Sequence, residues 1–170
     1  EGLRLQPFLA ALTGRVARKQ FCPVGERPLI RETFARVELL IPRERLVTVV
    51  GAGMEAEAAP HLLDRPRETI IWQPLNRETG PGVLLPCCAV AAADPDACVA
   101  VFPADHFVHR AETFMERVRD AKRAVDAHPN LLVLLGVEAD SPETGYGWIA
   151  PGGPAEEAGT RRLRRVDRFQ

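Results

Sequence analysis

The chain has only four cysteines in 170 residues, and no two of them are spaced C-x-x-C. Its four histidines show no H-x-x-x-H spacing. A structural zinc site draws its ligands from such close pairs, so none is expected. Cys87, Cys88 and Cys98 stand among apolar residues, where cysteine is most often a small buried hydrophobe. The reading is reduced thiols in a cytoplasmic protein. An excess of one charge is also lacking, since the formal net charge is -1. That balance gives no electrostatic reason to expect a nucleic-acid binder or a membrane-surface protein. The one basic cluster, Arg161 to Arg165, reads as a solvated face. No apolar run is long enough to span a bilayer. No internal repeat, low-complexity tract or domain linker is evident. The opening EGLRLQPF has no initiator Met and no signal-peptide pattern, although a clipped terminus would hide one.

What is present is ordinary globular composition, 46% hydrophobic and 26% charged, at a length that suits one domain with its own core. PLIRETFARVELLI has helical spacing, with Leu29, Thr33, Val37 and Leu40 on one side and Pro28 suited to the first turn. RLVTVVG predicts a strand. AEAAPHLLDR predicts a short helix broken near Pro60, and ETIIWQP a second strand. GVLLPCCAVAAAD predicts an apolar helix stopped by Asp94-Pro95. ACVAVFPAD predicts a third strand, apolar on both faces. RAETFMERVRDAKRAVDAH is the clearest helix, with Phe114, Val118, Ala121 and Val125 as its stripe. LLVLLGV predicts a fourth strand, and YGWIAPGG and LRRVDRFQ two more, joined by a Gly/Pro-rich turn. Strands that alternate with helices and are apolar on both faces imply a mostly parallel sheet covered on both sides, a three-layer α/β fold. Such folds bind ligands at the carboxyl ends of their strands.

Four places can carry chemistry. Asp105 and His106 follow the third strand. An Asp there can hold a divalent cation, which in turn holds a phosphate, or it can cap the helix beginning near His109. The loop Asn76 to Gly82 follows the second strand and offers backbone amides at a helix N-terminus. The stretch Ser141 to Ile149 is a Gly-rich turn in which Gly145 and Gly147 leave room for a sugar beside Tyr146. Finally, Arg18 to Phe21 holds Lys19, a cation able to neutralise phosphate. Each of these also has a plain structural reading, as a turn or a solvated charge.

Their order along the chain resembles the sugar-nucleotide pyrophosphorylases, most closely the mannose-1-phosphate guanylyltransferases. That family opens with G-G-x-G-x-R-L-x-P-L, and this chain shows its second half as Gly2, Arg4, Leu5, Pro7 and Phe8. The family's K-Q-F is present as Lys19, Gln20 and Phe21. Its R-N-T-A-P is matched by Arg77, Glu78, Thr79, Gly80 and Pro81, with Glu in place of Asn and Gly in place of Ala. Its P-S-D-H is matched by Pro103, Ala104, Asp105 and His106. Its P-x-T-G-Y-G-Y-I is matched by Pro142, Glu143, Thr144, Gly145, Tyr146, Gly147, Trp148 and Ile149.

The resemblance covers essentially the whole chain. It implies a Rossmann-like nucleotide-diphospho-sugar transferase fold, with residues 1–170 a partial catalytic core. The first strand would precede Glu1, and the sugar-phosphate-binding part would follow Gln170. It implies transfer of GMP from GTP to mannose 1-phosphate with Mg²⁺. Arg4 and Lys19 would hold the β- and γ-phosphates, and Asp105 the metal. Gly2, Leu3, Gln73, Thr79, Gly80 and Pro81 would line the nucleotide, and His106, Gly145, Tyr146 and Gly147 the sugar. A pyrophosphorylase using another nucleotide or hexose 1-phosphate stays open. So do a non-catalytic nucleotide-sugar-binding regulatory module and a homo-oligomer.

Overall fold

The computed structural model describes residues 7, 10, 11, 14, 18–75, 77–142, 145–155 and 163–170, with Val24 described in its backbone alone. Gly2, Leu3 and Arg4 lie outside the described residues, as do Glu143 and Thr144. The chain divides by packing into two units, Glu1–Met115 and Glu116–Gln170.

The first unit contains a hairpin, β1 (Pro23–Val24) and β2 (Arg27–Pro28), paired antiparallel. Gly25 leads its two-residue turn with φ 77°, a backbone state that costs glycine nothing and suits a type II′ hairpin. Helix α1 (Leu29–Val37) follows directly and buries Leu29, Ile30, Phe34 and Val37 along one stripe. Strand β3 (Thr48–Gly51) leads through the short helix α2 (Glu55–Ala58) and a 3-10 turn, Ala59–His61, to strand β4 (Ile70–Gln73). The expected break near Pro60 is this change of helix type. β3 and β4 pair in parallel, Thr48 with Ile70 through Gly51 with Gln73. The Ala52 amide extends that ladder by donating to the Gln73 carbonyl at 2.8 Å. The core lies between α1, β3 and α2. Ile30, Phe34, Val50, Ala58 and Leu62 form it, and Phe21, Met54 and Ile70 pack against it.

Helix α3 (Thr79–Ala93) contains Pro86 and buries no residue. Helix α4 (Ala111–Ala127) crosses the boundary between the two units. In the second unit β5 (Ile149–Pro154) and β6 (Arg164–Phe169) pair antiparallel, as their sequences predict. Their ladder is extended at its open end, where Trp148 and Gln170 exchange both backbone hydrogen bonds at 2.9 Å.

Parallel strands joined through helix, with further helices along the chain, make this an α/β fold. Two sequence expectations are corrected. The runs ACVAVFPAD and LLVLLGV form no ladder among the described residues. A strand apolar on both faces needs neighbours along both edges and cover above and below. Without them these runs stay unpaired and uncovered among the described residues, with Val101 61%, Leu132 89% and Val137 93% exposed. The second correction concerns Cys87, Cys88 and Cys98. All are free thiols, but Cys88 and Cys98 are exposed and Cys87 half-buried, because nothing described covers their apolar surroundings. The buried thiol is Cys22, raised above its ordinary pKa by burial and then by Glu57. A protonated, enclosed thiol of this kind is chemically inert.

Candidate functional site

Lys19, Gln20 and Phe21 form one 3-10 turn, and each side chain has a different anchor. Phe21 stacks on His61 with ring centroids 5.7 Å apart and planes 7° from parallel. Gln20 Nε2 approaches Met54 Sδ at 3.6 Å. Just before the turn, Arg18 pairs with Glu57 on α2. The apolar member thus faces the core while the cation is carried outward. Lys19 Nζ lies 3.3 Å from Asp105 Oδ2. On the other side of that carboxylate, His106 Nε2 is 3.9 Å from Oδ1. The structure therefore brings together Lys19, Asp105 and His106, which the sequence offers in two separate stretches. Asp105 does not cap a helix, since α4 begins only at Ala111 and the carboxylate faces Lys19 instead.

The loop carrying Asp105 is held from behind by α1. Thr33 Oγ1 donates to the Pro103 carbonyl at 3.5 Å, and Arg36 Nη1 donates to the His106 carbonyl at 3.3 Å. Arg36 Nη2 also donates to Thr33 Oγ1 at 3.1 Å. The guanidinium lies 5.5 Å from the Phe114 ring, whose edge meets Phe102. Burial pulls the Arg36 pKa down, and Glu32 opposes the shift. Sequence reasoning counted Thr33 as part of an apolar stripe and missed Arg36. The usable signal was their i, i+3 spacing, which puts both on the buried face of one helix.

A second group sits where β4 leads to α3. The Gln73 side chain reaches toward the first turn of that helix, its Oε1 3.7 Å from where a Cβ on Gly82 would stand. Thr79, Gly80 and Pro81 lie in that turn, not in a free loop. Pro81 is tolerated there because first-turn amides have no partner within a helix. Glu78, immediately before it, has φ 64° and ψ -169°. That region is nearly glycine-only, and a side chain in it stores backbone strain. Such strain collects where a loop must present its backbone in one way.

In the second unit, Tyr146 is exposed and Gly147 has open space on its Cβ side. Both directly precede the Trp148–Gln170 pairing that opens the β5–β6 ladder. They belong to a different unit from Lys19 and Asp105.

The Nucleotidyl transferase family model matches residues 1–170. The chain belongs to the nucleotidyl transferase family. Among similar proteins is the mannose-1-phosphate guanylyltransferase of Salmonella montevideo, 31% identical over 154 residues, covering 89% of this chain and 31% of that protein. The mannose-1-phosphate guanylyltransferase of Escherichia coli strain K12 is 32% identical over 156 residues, with 89% and 31% covered. The alginate biosynthesis protein AlgA of Pseudomonas aeruginosa is 28% identical over 163 residues, with 91% and 31% covered. The chain thus spans about a third of the length of these relatives. Among the described residues, no helix is long and apolar enough to cross a membrane.

Proposed function

We propose that this nucleotidyl transferase domain transfers GMP from GTP to mannose 1-phosphate, giving GDP-mannose and pyrophosphate. The observation that carries the reading is the meeting of Lys19 with Asp105 at 3.3 Å, a cation and a carboxylate from distant loops. The similarity to mannose-1-phosphate guanylyltransferases is what chooses the substrates.

In the reaction a phosphate oxygen of mannose 1-phosphate bonds to the α-phosphorus of GTP. The bond from that phosphorus to the oxygen bridging to the β-phosphorus breaks, and the electron pair leaves with pyrophosphate. Both substrates are anions, so positioning and charge neutralisation do most of the catalytic work. Lys19, with Arg4, would meet the β- and γ-phosphates. Gly2 and Leu3 would add backbone contacts. Gln73 and the α3 first turn, Thr79 to Pro81, would face the base. His106, Gly145, Tyr146 and Gly147 would border the sugar.

Magnesium belongs to the same proposal. Among the described residues no cluster of three or more His, Cys, Asp or Glu could cage a metal. Phosphate-site magnesium needs no such cage, because one or two carboxylates hold it and phosphate oxygens and waters complete its shell. Asp105, partly exposed in its loop, fits as one such carboxylate. Bound there, the ion would neutralise phosphate charge. A cytoplasmic setting is in keeping with the free thiols.

Glu78 stands where the resembled motif has Asn, which makes the base the first property to test. The experiment is pyrophosphate release by the full-length protein with mannose 1-phosphate and Mg²⁺, comparing GTP, ATP, UTP and dTTP. Release with GTP at least tenfold above the others is expected. Preference for another nucleotide would overturn the guanylyl assignment while keeping the reaction class. No release with any of them would favour a nucleotide-sugar-binding regulatory module.

A further inference from the structure

Arg36 is a buried cation that the proposed chemistry does not use. It is 4% exposed, on a helix whose other buried residues are apolar except for Thr33. Enclosing a guanidinium costs free energy unless its donors are used, and a Leu or Met would pack as well at less cost. The Nε of Arg36 is buried with no hydrogen-bond partner. Its two other nitrogens are spent on the His106 carbonyl and on Thr33 Oγ1. Thr33 in turn donates to the Pro103 carbonyl. These two acceptors bracket Asp105, one residue after it and two before. The Phe114 ring lies against the guanidinium and is itself met by the Phe102 ring.

We infer that Arg36, acting with Thr33, is a positioning residue that fixes the backbone on both sides of Asp105 and so sets where its carboxylate stands against Lys19. The inference rests on the proposed nucleotidyl transfer for its catalytic consequence. The segment from 103 to 106 has no ladder among the described residues to hold it. The two α1 side chains supply the missing restraint. A carboxylate that aligns phosphates must be placed to within a fraction of an ångström, since a shift of about 1 Å costs roughly a hundredfold in rate.

The test uses the full-length protein and the variants Arg36→Met, Arg36→Lys and Thr33→Val, read in two ways. The first is hydrogen exchange at amides 104–107 without substrate or metal. Arg36→Met is expected to speed exchange there at least tenfold while β3 and β4 keep their protection. The second is kinetics on the folded variants. Turnover should drop about 10- to 100-fold with KM for both substrates within threefold. Arg36→Lys, which keeps a cation and a donor, should recover part of both effects. A role in packing alone would lower stability and leave the turnover of folded protein and the local exchange unchanged, and that result would overturn the inference. If Arg36→Met does not fold, Thr33→Val must show the same localised exchange, more weakly, or the idea fails. Should the wild-type protein transfer no nucleotide, the proposed function falls, and the exchange arm still decides whether Arg36 holds this loop.

Discussion

Lys19 and Asp105 are each about a third exposed, 31% and 39% in their side chains. An ion pair that open to water contributes only about 0–1 kcal/mol to folding. The proposed function gives the pair a role other than stability. Lys19→Ala should therefore leave the unfolding midpoint nearly unchanged. It should lower turnover by about 30- to 900-fold, the equivalent of losing roughly 2–4 kcal/mol of transition-state charge stabilisation. Steady-state pyrophosphate release alongside a melting curve checks this. Turnover within threefold of wild type in the folded variant would remove Lys19 from the chemistry. At this scale the sequence is informative where side-chain type suffices: Lys19, Asp105 and His106 stand out as chemical groups, and the structure places them together. It was silent on Arg36. A buried arginine looks like any surface arginine until the fold shows which carbonyls it faces.

Among the elements, α1 is the keystone of the first unit, and Phe34 is its centre. The ring packs among Ile30, Val50, Ala58 and Leu62. Its faces carry two cations, with the Arg65 guanidinium 4.4 Å and that of Arg31 5.7 Å from the ring centroid. Arg65 itself is enclosed, its side chain 1% exposed between Glu38 and Asp64. Truncating Phe34 removes the apolar contacts and uncovers the enclosed Arg65 guanidinium together. Phe34→Ala should cost about 3–5 kcal/mol, a large part of the 5–15 kcal/mol typical of a domain. Phe34→Leu should cost less than half of that. Urea midpoints of the three proteins check the order, and an Ala variant within about 1 kcal/mol of wild type would contradict it. α1, β3, α2, β4, α4, β5 and β6 were all legible, because each satisfies its own periodicity locally. The runs around Val101 and Leu134 misled for a physical reason. An apolar, β-branched run states a preference for a sheet centre, but a strand exists only when its neighbours are in place. The α3 boundary was misjudged too, since Gly80 and Pro81 look like loop residues until Pro81 is seen to occupy a first turn.

For the molecule as a whole, the charge balance is near zero at pH 7, so the first losses on acidification are set by individual groups, before carboxylate protonation adds general repulsion. Two perturbed groups sit on one turn after α2. Asp64 is held far below the usual carboxylate range, first by the hydrogen bond from Arg31 and then by that from Arg65. Arg31 grips it with two nitrogens, at 2.6 and 3.1 Å. His61 is lowered from its ordinary 6.5, first by burial and then by the charge of Arg31. Both groups have a folded pKa below the unfolded one. On acidification the unfolded chain therefore takes up protons before the folded chain does, and stability falls. The His61 contribution is complete above about pH 6.5 and declines below it, and the Asp64 contribution declines from about pH 4 downward. The melting temperature should be level near pH 7, fall gently to pH 5 and fall steeply below pH 4. Asp64→Asn keeps the shape but cannot be protonated in that range. It should flatten the lower limb while lowering stability at pH 7, because Arg31 and Arg65 lose their shared anion. His61→Gln should flatten only the upper limb. A wild-type profile that is level from pH 7 to 3 would show that this turn does not govern acid unfolding. An Asp64→Asn profile with an unaltered lower limb would assign the acid sensitivity to other carboxylates.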